Sequence, residues 1–263
     1  IIFEGSEAEL KQTQNTQAAL MAVSIAIIKV IEEETGKKAY EIAGVMAGHS
    51  LGEYSALCAG GSVSLKEATM LLKNRGQFMA NANKGSMIAL IGMEDEKIHS
   101  LKAKEQEVLV IANDNSVGQV VLSGNVDAVE RASVMAKEYG AKMAIKLDVS
   151  GAFHSPLLEE ASLKMKEVLE KVKFDDLKCV VLNNVNVLPY ETSEQIKSLL
   201  TLQITSPVRW KDTMLKMESM GVETAVEVGS GKVLSGLFKR TAKNIKTFNI
   251  SNTTELKEFL NHL

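Results

Sequence analysis

Gly48-His49-Ser50-Leu51-Gly52 is a GxSxG pentapeptide, the spacing of a nucleophile elbow, in which a serine sits on a sharp turn between a strand and a helix. The requirement is steric. The turn forces the serine backbone into a strained conformation, so the positions two residues away on either side should lack side chains. An apolar run at 42–47 predicts a short strand ahead of the motif, and 51–59 predicts a helix closed by Gly60-Gly61. Ser50 would then present its hydroxyl at a helix N-terminus, where free N–H groups and the helix dipole stabilise an oxyanion.

A serine needs a base to attack at neutral pH, and the chain has four histidines. His99 lies on a charged stretch among Glu96, Lys97 and Lys102 and reads as solvated; His262 adjoins the C-terminus and reads as mobile. His49 neighbours Ser50, where adjacent side chains diverge, and is expected to pack or hydrogen-bond in support of the elbow. His154 remains, at a loop-to-helix junction in Ser150-Gly-Ala-Phe-His154-Ser-Pro156. No third triad member is obvious. Asp148 is a candidate, and a backbone carbonyl orients an imidazole equally well.

Arg75 is the charge that fits its surroundings least. Leu71, Leu72, Phe78 and Met79 occupy the helical neighbours at i−4, i−3, i+3 and i+4, so Arg75 projects from a buried stripe. An unpaired buried guanidinium is very costly. It requires either a protein carboxylate or a substrate carboxylate held in its bidentate fork.

These residues must be carried by a suitable frame. A helix over 18–34 stops at Gly36, and Ser64-Leu65-Lys66-Glu67 has capping-box spacing and opens a helix running to about residue 82. From Gly85 the pattern is strand 87–91, helix 94–104, strands 108–112 and 119–123 around a 113–118 turn, helix 127–139 and strand 142–147. That βαββαβ order is ferredoxin-like and reads as an insert. The larger unit resumes with a helix over 156–172, capped by Ser155, then strand 180–183, helices 193–202 and 210–220, strand 224–228, helix 233–242 and strand 246–250. Strands alternating with helices imply a mostly parallel sheet covered on both faces. The expected division is 1–84 with 148–263 for the large α/β subdomain, and 85–147 for the small one.

Bulk properties exclude other classes. The chain has 263 residues, 45% hydrophobic and 24% charged, with net charge −3. Nothing there favours nucleic acid or an anionic membrane as partner. The longest apolar stretch, 18–31, is interrupted by Lys29 and reads as too short to span a bilayer. Cys58 and Cys179 lie in apolar surroundings, the usage of reduced thiols in a cytoplasmic protein. No metal-ligand spacing occurs. Gly229-Ser-Gly-Lys232 departs from a phosphate loop, because Val226 stands where a glycine is needed and Val233 replaces the Ser/Thr.

Together the motifs resemble the malonyl-CoA:acyl-carrier-protein transacylases and related acyltransferase domains. The resemblance rests on Gly48-His-Ser-Leu-Gly-Glu-Tyr-Ser-Ala-Leu57, Arg75-Gly-Gln-Phe-Met79 and Ser150-Gly-Ala-Phe-His154. Further matching segments begin at Asn115, Gln203 and Glu227, and the match runs essentially end to end. It implies an α/β-hydrolase-like large subdomain with the ferredoxin-like insert. It also implies ping-pong transfer of malonyl from coenzyme A, through a Ser50 ester, to the phosphopantetheine thiol of an acyl carrier protein in fatty acid synthesis. His154 would be the base, oriented by the backbone carbonyl of Gln203. Arg75 would clamp the malonyl carboxylate, and the Leu51 N–H would serve the oxyanion. His49, Phe153 and Asn115 would line the pocket, with Phe153 crowding out a methyl branch. Coenzyme A enters as substrate, so no cofactor or metal is implied, and the expected enzyme is a cytoplasmic monomer. A basic face at Lys232, Lys239 and Arg240 would meet the acidic carrier.

Family members begin with a strand ending in Gly-Gln-Gly, whose Gln gives a second oxyanion donor, and nothing before Ala18 matches it. The expectation is a chain lacking that opening segment and that donor, a loss that typically costs about 10²–10³ in rate. Two other readings follow: a serine esterase or thioesterase using water as acceptor, and an inactive acyltransferase-like domain that binds carrier protein.

Overall fold

The structure, a computed structural model, describes residues 1–82, 85–149 and 151–263. The expected close of the first large-subdomain segment at Lys84, and Ser150 of the histidine motif, lie outside the described residues.

The chain enters through helices α1 (Glu7–Lys11) and α2 (Thr13–Thr35), the latter ending at Gly36 in the left-handed conformation. A helical turn, α3 (Ala39–Ile42), takes the start of the run expected as strand and leaves only Val45–Met46 for β1. Next come α4 (Gly52–Ala59) and α5 (Leu65–Asn81). Ser64 Oγ accepts from the Glu67 N–H at 3.2 Å, as the capping-box spacing implies.

The insert comprises β2 (Ser86–Ile91), α6 (Asp95–Lys102), β3 (Leu109–Ser116), β4 (Gln119–Gly124), α7 (Val126–Ala136) and β5 (Met143–Lys146). Its strands form one antiparallel sheet in the order β3-β4-β2-β5, the ferredoxin-like arrangement. The helices cover one face over Ile88, Leu90 and Leu122. One expectation is corrected: β3 runs on to Ser116, so the hairpin turn narrows to Val117-Gly118, with Gly118 at φ +71°. Register shifts at Ile111/Asn113 and Asp114/Ser116 absorb the additional residues. This irregular edge docks the insert: the Asp114 N–H donates to Val208 O at 3.0 Å, and the Val208 N–H to Ala112 O at 2.8 Å.

The large subdomain resumes with a 3₁₀ turn (Pro156–Leu158), α8 (Glu159–Leu169), β6 (Val180–Val181), α9 (Ser193–Gln203) and α10 (Trp210–Ser219). It continues with β7 (Thr224–Val228), α11 (Val233–Thr241), β8 (Lys246–Ile250) and α12 (Thr253–Leu260), the last not anticipated from sequence. Ser155 does not cap its helix; its hydroxyl donates to Ala152 O at 2.7 Å and braces the preceding loop. The parallel sheet is present as two parallel pairs, β1 with β6 and β7 with β8. An apolar cavity of about 870 Å³ between β1 and β7 is lined by Met46, Val226, Val228 and Leu20.

By length and composition alone, α2 is long and apolar enough to cross a membrane, a test that a buried core helix also passes; the full helix runs beyond the 18–31 stretch read from sequence. In this fold its inner face is engaged. Gln17, Met21, Ile25 and Ile31 are buried, α5 packs along it, and the Ser24 hydroxyl donates to Val228 O at 3.0 Å. The main core gathers Tyr54, Leu57, Leu71, Leu72, Met165 and Leu200 from α4, α5, α8 and α9. Phe153 packs against both this core and the open face of the insert sheet.

Candidate active site

Ser50 sits between β1 and α4 at φ +53°, a left-handed conformation that costs a non-glycine residue of order 1–3 kcal/mol. Gly48 makes the turn possible: a Cβ there would lie 1.9 Å from the Gly52 backbone. Gly52 itself has no such constraint, since a Cβ on it would meet nothing within 4 Å. The two glycines of the motif are therefore not equivalent, in contrast to the expectation that both positions should lack side chains.

The Ser50 Oγ lies 2.8 Å from His154 Nε2, and His154 Nδ1 lies 2.8 Å from the Gln203 carbonyl oxygen. Nδ1 therefore carries the proton and donates, which leaves Nε2 to accept from the serine hydroxyl. His154 is itself at φ +56°, a second strained residue in the same pair. Asp148 is exposed at the cleft and takes no part in this chain of hydrogen bonds. Burial is the main cause that lowers the His154 pKa, to about 3, and the nearby Arg75 charge adds to it. The resting imidazole is neutral at physiological pH.

Arg75 is buried at 1% exposure on α5. Among the described residues no carboxylate lies within ion-pair distance of it. Instead Nη1 donates to Gln17 Oε1 at 2.6 Å, and Nη2 donates to Gln203 Oε1 at 2.9 Å and to Ser50 Oγ at 3.1 Å. Among the described residues its Nε has no hydrogen-bond partner. A cation so placed, with donor capacity unspent beside the nucleophile, is suited to an anionic group on the substrate. Ser50, Arg75, His154, Phe153 and Leu51 line one cleft of about 1090 Å³.

A buried polar network lies behind these groups. Glu53 accepts from the Tyr190 hydroxyl, from Gln203 Nε2 at 2.5 Å and from the Asn184 N–H at 3.3 Å. Burial pushes its carboxyl up to about 7, against the pull of those donors. Gln203 Nε2 also donates to Ser50 O at 2.9 Å, and Asn184 Oδ1 accepts from the Ser50 N–H at 2.8 Å. His49 turns away from the cleft, as neighbouring side chains in such a turn must. Its Nε2 lies 2.8 Å from Asn115 Oδ1 on β3, and its ring lies 5.6 Å from that of Trp210. Burial holds its pKa below the ordinary range.

Sequence reasoning missed Gln17, Glu53, Asn184, Tyr190 and the side chain of Gln203. Gln17 had a signal, since it shares the helical stripe of Met21 and Ile25 and is the odd polar residue on it. Asn184 and Tyr190 stand in loops whose positions follow from packing alone. Lys232, Lys239 and Arg240 are exposed near α11, and Arg240 donates to Gln119 of the insert at 2.8 Å. The N-terminal amides of α11 are taken by Glu227, which accepts from Leu234 and Ser235 at 3.0 and 2.7 Å, so that turn holds a carboxylate of its own. Among the described residues no group of three or more His, Cys, Asp and Glu side chains is arranged to hold a metal ion.

The model of the acyl transferase domain matches residues 1–257. The chain belongs to the acyl transferase domain family. Among its relatives in that family, the malonyl CoA-acyl carrier protein transacylase of Bacillus subtilis is 42% identical over 258 residues, covering 96% of this chain and 80% of that protein. The protein of the same name from Escherichia coli K12 is 40% identical over 242 residues, 90% of this chain and 77% of its own. The crystal structure of acyl-carrier-protein-S-malonyltransferase from Bartonella henselae superposes with a TM-score of 0.95 at 42% identity, covering 100% of this chain and 85% of that one. A malonyl-transacylase solved in complex with its type II PKS acyl-carrier protein superposes at 0.93 with 39% identity, covering 99% and 83%. This acyltransferase therefore has the family's large α/β and small ferredoxin-like subdomains.

Proposed function

We propose that the chain transfers a malonyl group from malonyl-CoA to the phosphopantetheine thiol of an acyl carrier protein for fatty acid synthesis. The observation that carries this reading is Arg75: a buried guanidinium with no carboxylate within ion-pair distance among the described residues, hydrogen-bonded to the hydroxyl of the nucleophile. Malonyl carries its carboxylate one methylene from the thioester carbonyl, so clamp and nucleophile must adjoin.

In the proposed route the substrate carboxylate docks on Arg75. His154 Nε2 takes the Ser50 proton as Oγ attacks the thioester carbonyl, and the oxyanion forms at the N-terminus of α4, where the Leu51 N–H donates. The carbon–sulfur bond breaks, and the coenzyme A sulfur takes the proton back from His154. The carrier thiol then gives its proton to His154 and attacks the ester, and Ser50 Oγ leaves and is reprotonated. Docking an anion on Arg75 also offsets one of the charges that depress the His154 pKa, so the substrate strengthens the base it requires. Every proton and electron pair moves between substrates and side chains, so this route draws on no cofactor. Phe153, half-buried beside His154, narrows the acyl site against a methyl branch. A monomer in the cytoplasm completes the reading, the two free cysteines supporting the cytoplasmic setting alone.

Intact-protein mass spectrometry after brief mixing with malonyl-CoA or acetyl-CoA tests it. A malonyl adduct on Ser50, little acetyl adduct, and discharge on adding holo carrier protein are expected. Discharge to water at the same rate without carrier would make the chain an esterase. A folded chain that forms no adduct would overturn the reading.

A further inference from the structure

One side chain bridges both ends of the strained turn 48–50 from outside, while Gln203 holds only the Ser50 carbonyl. Asn184, fully buried in the loop after β6, accepts from the Ser50 N–H through Oδ1 at 2.8 Å and donates through Nδ2 to Gly48 O at 2.9 Å. Ser50 N–H can only donate and Gly48 C=O can only accept, so the amide has one permitted orientation. Its own peptide N–H is held by Glu53, which ties the loop to α4. From Gly52 onward the amides turn into the helix: Gly52 N–H donates to His49 O at 2.9 Å and Glu53 N–H to Ser50 O at 3.1 Å. The Leu51 N–H makes none of the hydrogen bonds found among the described residues.

We propose that Asn184 is a positioning residue for the nucleophile: its amide staples the 48–50 turn, fixing the Ser50 hydroxyl toward His154 and leaving the Leu51 N–H free for the oxyanion. The inference rests on the reading of Ser50 as an acyl-accepting nucleophile. It places Asn184 on the elbow and not on the carboxylate clamp, because no hydrogen bond joins Asn184 directly to Arg75 among the described residues; the link through Gln203 is a long 3.4 Å contact from its Nε2 to Asn184 Oδ1. Its loss should therefore slow chemistry while leaving substrate affinity alone. A misplacement of about 1 Å at a reacting group costs on the order of 10²-fold in rate.

The variants Asn184→Asp and Asn184→Ser separate the possibilities. The aspartate keeps the size and the acceptor for Ser50 N–H but sets an oxygen against Gly48 O; the serine is too short to span both partners. Two readouts are taken on protein shown to be folded by thermal melting: the single-turnover rate of Ser50 acylation across a malonyl-CoA titration, and labelling by an uncharged fluorophosphonate. The latter phosphonylates the serine oxygen with loss of fluoride and needs no clamp. Expected are a roughly 10²-fold fall in both rates and a half-saturating malonyl-CoA concentration within about twofold of wild type. Wild-type labelling by either folded variant, or a change confined to half-saturation, would overturn the inference. Absence of any wild-type adduct from malonyl-CoA, with normal fluorophosphonate labelling, would instead count against the acyl-transfer reading.

Discussion

Arg75 donates a hydrogen bond to the hydroxyl of Ser50 at 3.1 Å, so the cation and the nucleophile are in contact before any substrate arrives. Replacing Arg75 by Ala removes the clamp and leaves Gln17 and Gln203 without their partner. Charge-assisted hydrogen bonds contribute about 1.5–3 kcal/mol each, so malonyl loading should fall by roughly 10²-fold. Acetyl loading should fall much less. Equal loss for both acyl groups in the mass-spectrometric assay would mean that Arg75 is structural only.

The depressed pKa of His154 has a sign that can be measured. The folded value is about 3 against 6.5 for the free side chain, so between those values the unfolded chain binds the extra proton. The neutral burial of His154 therefore weakens the fold increasingly as pH falls from 6.5 toward 3. His154→Asn retains a residue that tolerates φ +56° and cannot titrate. The wild-type minus variant difference in unfolding free energy should rise with pH through that window and level off above it. A flat difference in denaturant titrations at pH 4, 5, 6 and 7 would show that His154 does not stay neutral.

Glu53 has the opposite sign. Its folded carboxyl is raised to about 7 from 4.5, so the folded state holds the proton more tightly. That stabilising contribution is fully present below 4.5 and is lost as pH rises through 7. The groups facing it are Tyr190, Gln203, Asn184, Tyr54 and the Arg75 charge. Glu53→Gln should therefore show a wild-type minus variant difference that declines from pH 4.5 to 7. Because this window overlaps that of His154, only the variant differences, and not the wild-type curve, separate the two.

Gly48 and Gly52 should respond differently to alanine. At Gly48 the new Cβ would overlap the Gly52 carbonyl group at 1.9 Å, so Gly48→Ala should lower stability by about 3 kcal/mol or more, or prevent folding. Gly52→Ala places a methyl in open space at the first helical position. It should raise stability by up to about 1 kcal/mol. Thermal melts of the pair decide the matter, and a Gly52→Ala variant as unstable as Gly48→Ala would contradict the open space described at Gly52.

Local patterning determined a great deal. The elbow, the odd arginine on an apolar helix face, the lone suitable histidine and the βαββαβ insert are all written in residue type and spacing, because a turn, a helix stripe and an alternating strand are short-range objects. Strand ends were less legible: 42–47 shortened to Val45–Met46, and β3 ran on to Ser116, since propensity there yields to packing and to docking against Val208. What only the tertiary structure decided is which distant groups meet. Gln203 stands 153 positions from Ser50 and Asn184 134 positions away; the resemblance reached the Gln203 carbonyl but neither side-chain amide. Their amides find the strained turn because buried N–H and C=O groups must be paired, and that requirement is met by whichever side chain the completed core places beside them.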